Sequence, residues 1–388
     1  MRAEDAPWPR GRDMSRPYST ALIVWRNRAL GDAILAIPAL RALRTLEPPH
    51  RRIAILGYPD AWRMLDPCCY DAAHAIEEHA FAGLFAGVAT PELRAWLARE
   101  RVRAAVAWTT RHFGQALEAC GVPRVAQALS CPPPGVHAAD WLVATVRRLA
   151  GDDAHVGPSL TFCPSCPAMA TPSLAFTLCE RARAAQRLRS LLGSEEPEHG
   201  RRGLKSMPAD TRTSVRASCA PARECREDAP RPVILHPGSG EPWKRWPAAR
   251  YAQLADALLD RGVPVVLSAG PSDTATLAEV RERMRRPAPV LAGLPARELA
   301  ACFALARCYA GNDSGATHLA AAAGAPVIAI FGPTDPASWA PRGDVRVLRA
   351  CPASAESQGQ IRVCDDPSCL AALALHSVLD AVTAQLNC

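Results

Sequence analysis

Lysine is nearly absent. Of the 45 cationic side chains in the 388 residues, only Lys205 and Lys244 are lysine; the other 43 are arginine. In such a chain a retained lysine can mark a place where a compact ammonium serves better than a planar guanidinium fork, although Lys205 sits in a segment with no other signal. Long apolar runs are also missing: the longest weakly polar stretch, Leu319 to Gly332, has fourteen residues and is broken by Gly324 and Pro326. That is too short to span a hydrocarbon core about 30 Å thick. Residues 1–19 mix acids, arginines and prolines with no apolar segment, so they read as a flexible tail rather than a secretory leader. No G-x-y period and no repeat of 20 to 50 residues is present, which excludes collagen, solenoids and propellers. The net charge of +7 comes with no concentrated basic motif, so nucleic acid is not an expected partner.

Fifteen cysteines, an odd number with no secretory leader, imply reduced thiols in a cytoplasmic compartment. Cys163-x-x-Cys166 has chelate spacing, and Cys351, Cys364 and Cys369 lie near one another in sequence. No second C-x-x-C completes a four-ligand zinc site, so scattered thiols are the expectation. No G-x-S-x-G elbow points to a serine hydrolase.

What is present is an alternation of short apolar runs and helical periods. Ala21–Trp25, Ile53–Gly57 and Ala104–Trp108 read as strands, interleaved with helices over Asp32–Arg44, Pro91–Glu100 and Ala138–Leu149. The pattern fails from Cys163 to Pro230, apart from a helical stretch over Leu178–Leu192, and residues 163–230 read as a partly disordered linker or insertion. It resumes with strands at Pro232–His236, Val263–Leu267, Cys308–Ala310 and Val327–Ile330, and helices at Ala248–Arg261, Ser272–Met284, Leu299–Ala306 and His318–Ala323. The reading is therefore α/β, with one unit over 20–162 and a second over 231–388. Ligands of open α/β sheets sit beyond the carboxyl ends of the strands, and the motifs fall there.

Three clusters carry the chemistry. In the first, Gly31 follows a strand and Asp32 stands at the start of a helix. A carboxylate there is either a general base, with a typical gain of about 10²–10⁴-fold, or an N-cap closing orphan N–H groups. In the second, His236-Pro237-Gly238-Ser239-Gly240 leads to Lys244-Arg245-Trp246-Pro247. Its glycines and hydroxyl let backbone N–H groups approach a phosphate, and Lys244 adds a point charge, without Walker A spacing. The third is Gly311-Asn312-Asp313-Ser314-Gly315-Ala316-Thr317-His318, where Ser314, Gly315 and the first helical N–H groups make an anion pocket. Asp313 braces this loop or meets a sugar hydroxyl, and His318 is either a donor contact or a satisfied helix histidine. Asp273, after another strand, caps the next helix or meets ribose hydroxyls. Phe331-Gly332-Pro333-Thr334-Asp335-Pro336 is read as a rigid turn that lines the cleft without doing chemistry.

In this order and separation, the clusters resemble glycosyltransferase family 9, the ADP-heptose:lipopolysaccharide heptosyltransferases. Ala29-Leu30-Gly31-Asp32 through Pro38-Ala39-Leu40-Arg41 is similar to that family's opening motif. His236-Pro237-Gly238-Ser239 with Lys244-Arg245-Trp246-Pro247 resembles its donor loop, and Asp313-Ser314-Gly315 with His318-Leu319-Ala320 and Phe331-Gly332-Pro333-Thr334-Asp335-Pro336 resembles its nucleotide-sugar signature. The resemblance implies a GT-B fold, two Rossmann-like domains facing each other across a cleft, with the acceptor on the N-terminal one and the nucleotide sugar on the C-terminal one. It implies an inverting transfer with no metal or other cofactor and ADP-heptose as donor. The implied acceptor is an anionic lipid-linked core oligosaccharide at the cytoplasmic face of the inner membrane, with peripheral membrane contact. Asp32 would be the catalytic base; Ser239, Lys244, Ser314, Gly315 and His318 would contact the diphosphate, Asp313 would hold the donor loop, and Asp273 would lie near the ribose. Two competing readings are a sugar-nucleotide 2-epimerase on the same fold and a catalytically silent nucleotide-sugar-binding protein.

Overall fold

The computed structural model describes residues 19–25, 29–45, 51–58, 62, 69–109, 111–149, 172–193, 231–351, 366 and 368–387. Two parallel sheets organise them. The first unit runs β1 (Ser19–Trp25), α1 (Leu30–Leu35), α2 (Ile37–Thr45), β2 (Arg51–Gly57), β3 (Ala72–Ala75), α3 (Ala82–Ala86), α4 (Pro91–Arg99), β4 (Val102–Trp108), α5 (Arg111–Ala119), β5 (Val125–Ala128) and α6 (Ala138–Arg148), with strand order β3-β2-β1-β4-β5. Ala21 to Val24 are fully buried because helices cover both faces of the sheet, which is why β1 reads as a continuous apolar run. The helix expected over Asp32–Arg44 is two helices: Pro38 has no N–H to return to the preceding turn, and the chain breaks at Ala36 before α2 restarts with proline in its first turn.

A helix α7 (Leu178–Gly193) leads to the second unit: β6 (Val233–His236), α8 (Ala248–Asp260), β7 (Val265–Ser268), α9 (Thr274–Arg283), β8 (Val290–Leu291), α10 (Ala296–Phe303), β9 (Cys308–Asn312), α11 (Gly315–Ala322), β10 (Val327–Phe331), α12 (Pro336–Trp339), β11 (Val345–Arg349) and α13 (Leu375–Leu386). Its strand order is β11-β10-β9-β6-β7-β8, again parallel throughout. Two helices start earlier than expected. Ser314 caps α11, accepting from Thr317 N–H, so the helix opens at Gly315 rather than at His318, and α10 opens at Ala296 directly after Pro295.

The segment expected as linker holds a packed helix. Leu188 is fully buried, Glu180 pairs with Arg297 at 2.6 Å, and Leu174 N–H donates to Ala322 O at 2.7 Å, so residues 172–193 lie against α10 and α11. Arg41 of α2 reaches the same segment, donating to the Ser173 carbonyl at 2.8 Å. Residues 163–171 and 194–230, with Lys205, Cys163 and Cys166, lie outside the described residues, as do residues 1–18 and Cys364; Ser19 already pairs with Arg51 in the first sheet. Among the described residues, no helix is long and apolar enough to cross a membrane.

Candidate active site

The carboxyl ends of β1, β6, β7, β9 and β10 feed the loops that carry the motifs. The two units meet most closely where α1 and α11 point at each other. A Cβ on Gly31 would fall 2.9 Å from His318 Cδ2, and one on Gly315 would fall 2.8 Å from Leu30 Cβ and 3.2 Å from the Gly31 nitrogen. Neither position has room for a side chain, and their glycines let the helix starts approach to van der Waals distance. One buried cluster runs through this seam, joining Ala33 and Ile37 to Ala316 and Leu319.

Asp32 lies half-buried in the first turn of α1, beside the seam. It is not the N-cap: that position belongs to Ala29, and Asp32 stands inside the first turn, where its carboxylate faces the positive end of the helix dipole. Its charge reaches the β5–α6 loop, where burial pushes the Cys131 thiol up and the Asp32 carboxylate adds to the effect.

The second and third clusters form one hydrogen-bonded body. Lys244 closes a short 3₁₀ turn (Pro242–Lys244), stands over Trp243 with its ammonium 5.2 Å from the ring centroid, and donates to Asp313 Oδ2 at 2.7 Å. Thr334 Oγ1 donates to the same oxygen at 2.7 Å, and the buried Ser239 hydroxyl donates to the Asp313 carbonyl at 2.9 Å. Arg245 donates to the Ser239 carbonyl and to Thr276 Oγ1. Asn312, fully buried, ties the two loops together. Its amide donates to Pro237 O at 2.8 Å and Gly238 O at 3.3 Å, and its carbonyl accepts from Trp246 N–H at 2.9 Å and Tyr251 O–H at 3.0 Å.

Asp273 lies elsewhere on this floor. Its Oδ2 accepts from Gly270 N–H at 2.8 Å and faces His236 Nε2 at 3.4 Å, and its carboxylate presses on the Gly238 backbone. The Gly270 bond is a capping contact, made at the 3₁₀ turn Pro271–Asp273 that leads into α9. Burial lowers the His236 pKa, the Asp273 charge opposing it, and Nδ1 of that ring meets the Ser268 hydroxyl at 3.1 Å.

His318 is 6% exposed, and burial pushes its pKa down to about 4, with Asp313 opposing and His137 and Lys244 adding to the fall. The ring is therefore neutral at neutral pH, and its buried Nδ1 has no hydrogen-bond partner among the described residues. Within the described residues His318 is thus not a histidine with both ring nitrogens satisfied. The structure brings Ser239, Lys244, Asp313, Ser314, Gly315 and His318 to one floor with Asp32 across the seam from Gly315, while Asp273 sits beneath the loops.

Two contributors lay inside motifs yet were given no chemistry. Asn312 ends a wholly buried strand, where a polar side chain must find partners; that burial was the available signal. Thr334 belongs to the turn read as a passive lining, but its hydroxyl is bonded to the carboxylate that holds Lys244.

Residues 201–359 match the model of glycosyltransferase family 9 (heptosyltransferase). The chain is 38% identical over 114 residues to lipopolysaccharide heptosyltransferase 3 of Escherichia coli, which is 28% of this chain and 33% of that relative. It is 38% identical over 122 residues to lipooligosaccharide heptosyltransferase 2 of Haemophilus influenzae, 29% of this chain and 35% of that relative. These alignments thus span about a third of the relatives' length. Over nearly the whole chain the fold is similar to a glycosyl transferase family 9 structure from Veillonella parvula, with a TM-score of 0.65, 19% identity and coverage of 95% and 97%. It is also similar to E. coli ADP-heptose lps heptosyltransferase II, with a TM-score of 0.64, 18% identity and coverage of 95% and 98%. The fold is GT-B.

Proposed function

We propose that this chain, whose residues 201–359 match the model of glycosyltransferase family 9, belongs to that family and moves a heptose from ADP-heptose to an anionic lipid-linked core oligosaccharide, inverting the anomeric centre and using no metal ion. The observation that supports the reading is the meeting of α1 and α11: at Gly31 and Gly315 the helix that bears Asp32 comes against the helix that opens beside the Lys244–Asp313 pair. Asp32 takes the proton of an acceptor hydroxyl as that oxygen bonds to the anomeric carbon. The bond from this carbon to the diphosphate breaks on the opposite face, and ADP leaves with the electron pair. Negative charge grows on the departing diphosphate, so an ammonium at Lys244 and the N–H groups of Gly315 and Ala316 opening α11 stabilise the transition state more than the ground state. In this reading those groups supply the positive charge that a divalent cation would otherwise bring. An arginine-rich surface suits an anionic acceptor presented at the cytoplasmic face of the inner membrane.

The deciding measurement is mass spectrometry of a lipid core incubated with ADP-heptose and the protein. A mass gain of one heptose on the core is expected. Donor consumed without any acceptor would overturn the reading in favour of an epimerase, and donor bound but never consumed would make the protein a silent binder.

Lys244→Ala is expected to weaken ADP-heptose binding by about 10- to 100-fold, since a hydrogen bond to a charged group contributes about 1.5–3 kcal/mol. Calorimetric titration of donor onto wild type and variant reads this directly, and an unchanged isotherm removes Lys244 from the donor site.

A further inference from the structure

We propose that His137, Asp140, Trp339 and Arg342 form a latch that fixes the two units in the register needed for transfer, which makes them positioning residues for the reaction proposed above; the inference rests on that reading. His137 is the N-cap of α6: its Nδ1 accepts from Ala139 N–H at 3.2 Å, which leaves the ring proton on Nε2, and Nε2 donates to Ala340 O at 2.9 Å in the other unit. One turn further along α6, Asp140 pairs with Arg342, the two side chains being 18% and 22% exposed. Between these contacts Trp339 packs on Leu35, Ala138 and Ala139. Burial, with the Arg342 charge next, pushes the His137 pKa down to about 4, so the ring stays a neutral donor at ordinary pH; Asp140 and the Ala340 bond act against that fall.

What these groups grip gives them their role. The gripped segment follows Thr334 directly, and Thr334 donates to the Asp313 oxygen that holds Lys244. A stretch from Thr334 to Arg342 thus runs from the brace of the donor-site cation to the first unit, through α12. At the α1–α11 seam Ala33 and Ile37 pack on Ala316 and Leu319 in an apolar contact. The α6 contacts are directional, one neutral hydrogen bond and one part-buried ion pair, and such contacts select a single relative placement where apolar packing tolerates several. Two domains joined across a cleft move relative to each other by default, and a displacement of about 1 Å at reacting groups costs about 10²-fold in rate.

The test uses the full chain with Asp140→Ala, Arg342→Ala, Trp339→Ala and the reversed pair Asp140→Arg/Arg342→Asp. Each is read by ADP titration, by small-angle scattering, and by kcat and donor KM. The single variants are expected to lower kcat about tenfold or more, leave donor KM and ADP affinity within about twofold, and enlarge the scattering radius; the reversed pair is expected to recover much of the lost kcat. Wild-type scattering and kcat in the Arg342 and Trp339 variants would overturn the latch, and so would loss of ADP binding, which would place these residues in the donor site instead. Should the wild type transfer nothing, the functional reading falls, yet scattering with and without these side chains still decides the latch. If a single charge removal unfolds the chain, Trp339→Ala and the reversed pair carry the same decision.

Discussion

Replacing Asp32 by Asn is expected to lower kcat by about 10²–10⁴-fold while ADP-heptose affinity stays within about twofold. The amide keeps the shape of the carboxylate and cannot take a proton. Asp32 stands on α1 of the first unit, whereas Lys244, Asp313 and Ser314 stand on loops of the second, so the variant leaves the donor floor intact. Loss of the charge also weakens the interaction of α1 with its own N-terminal dipole, but that effect is about 0.3–1 kcal/mol, too small to unfold the unit or to account for the expected rate loss. Steady-state rates paired with donor titration separate the possibilities. Retained turnover with lost binding would remove Asp32 from the role of base and make it part of the donor pocket.

Asn312→Ala is expected to destabilise the second unit by about 4 kcal/mol or more, read as a shift in its urea unfolding transition, with donor binding lost under conditions where the variant is partly unfolded. The side chain satisfies two carbonyls, of Pro237 and Gly238, and two donors, Trp246 N–H and Tyr251 O–H, in a buried setting. Alanine orphans all of them at once, and each buried unmet polar group costs about 1–3 kcal/mol. Tyr251→Phe takes away a single contact and is expected to cost about 1 kcal/mol. A shift below about 1 kcal/mol for Asn312→Ala would mean that water replaces the amide and that the two loops do not depend on it.

The architecture was legible wherever the chain buries continuous apolar runs. β1, β4, β6, β7, β9 and β10 were each visible, because strands covered on both faces must be apolar throughout. β3 and β5 were not, for AAHA and VAQA are short and alanine-rich, with little β preference of their own; they form because β2 and β4 offer open edges for pairing. The loops of the site were legible because turns near a ligand need glycine, serine and proline. Their partners were less so: Thr334 meets Asp313 across 21 residues, and Arg342 meets Asp140 across 202, distances at which local sequence carries no signal. Asp273 illustrates the converse, a carboxylate at the right point in the order whose oxygen is taken up by Gly270 and His236.

The glycine pair at 31 and 315 has a mechanical corollary. One buried cluster crosses this seam, so a bulkier residue at position 31 or 315 would act as a wedge within it, pushing on His318 from one side or on Leu30 from the other. Under the proposed transfer, Asp32 and the Lys244–Asp313 pair would then no longer belong to the same chamber.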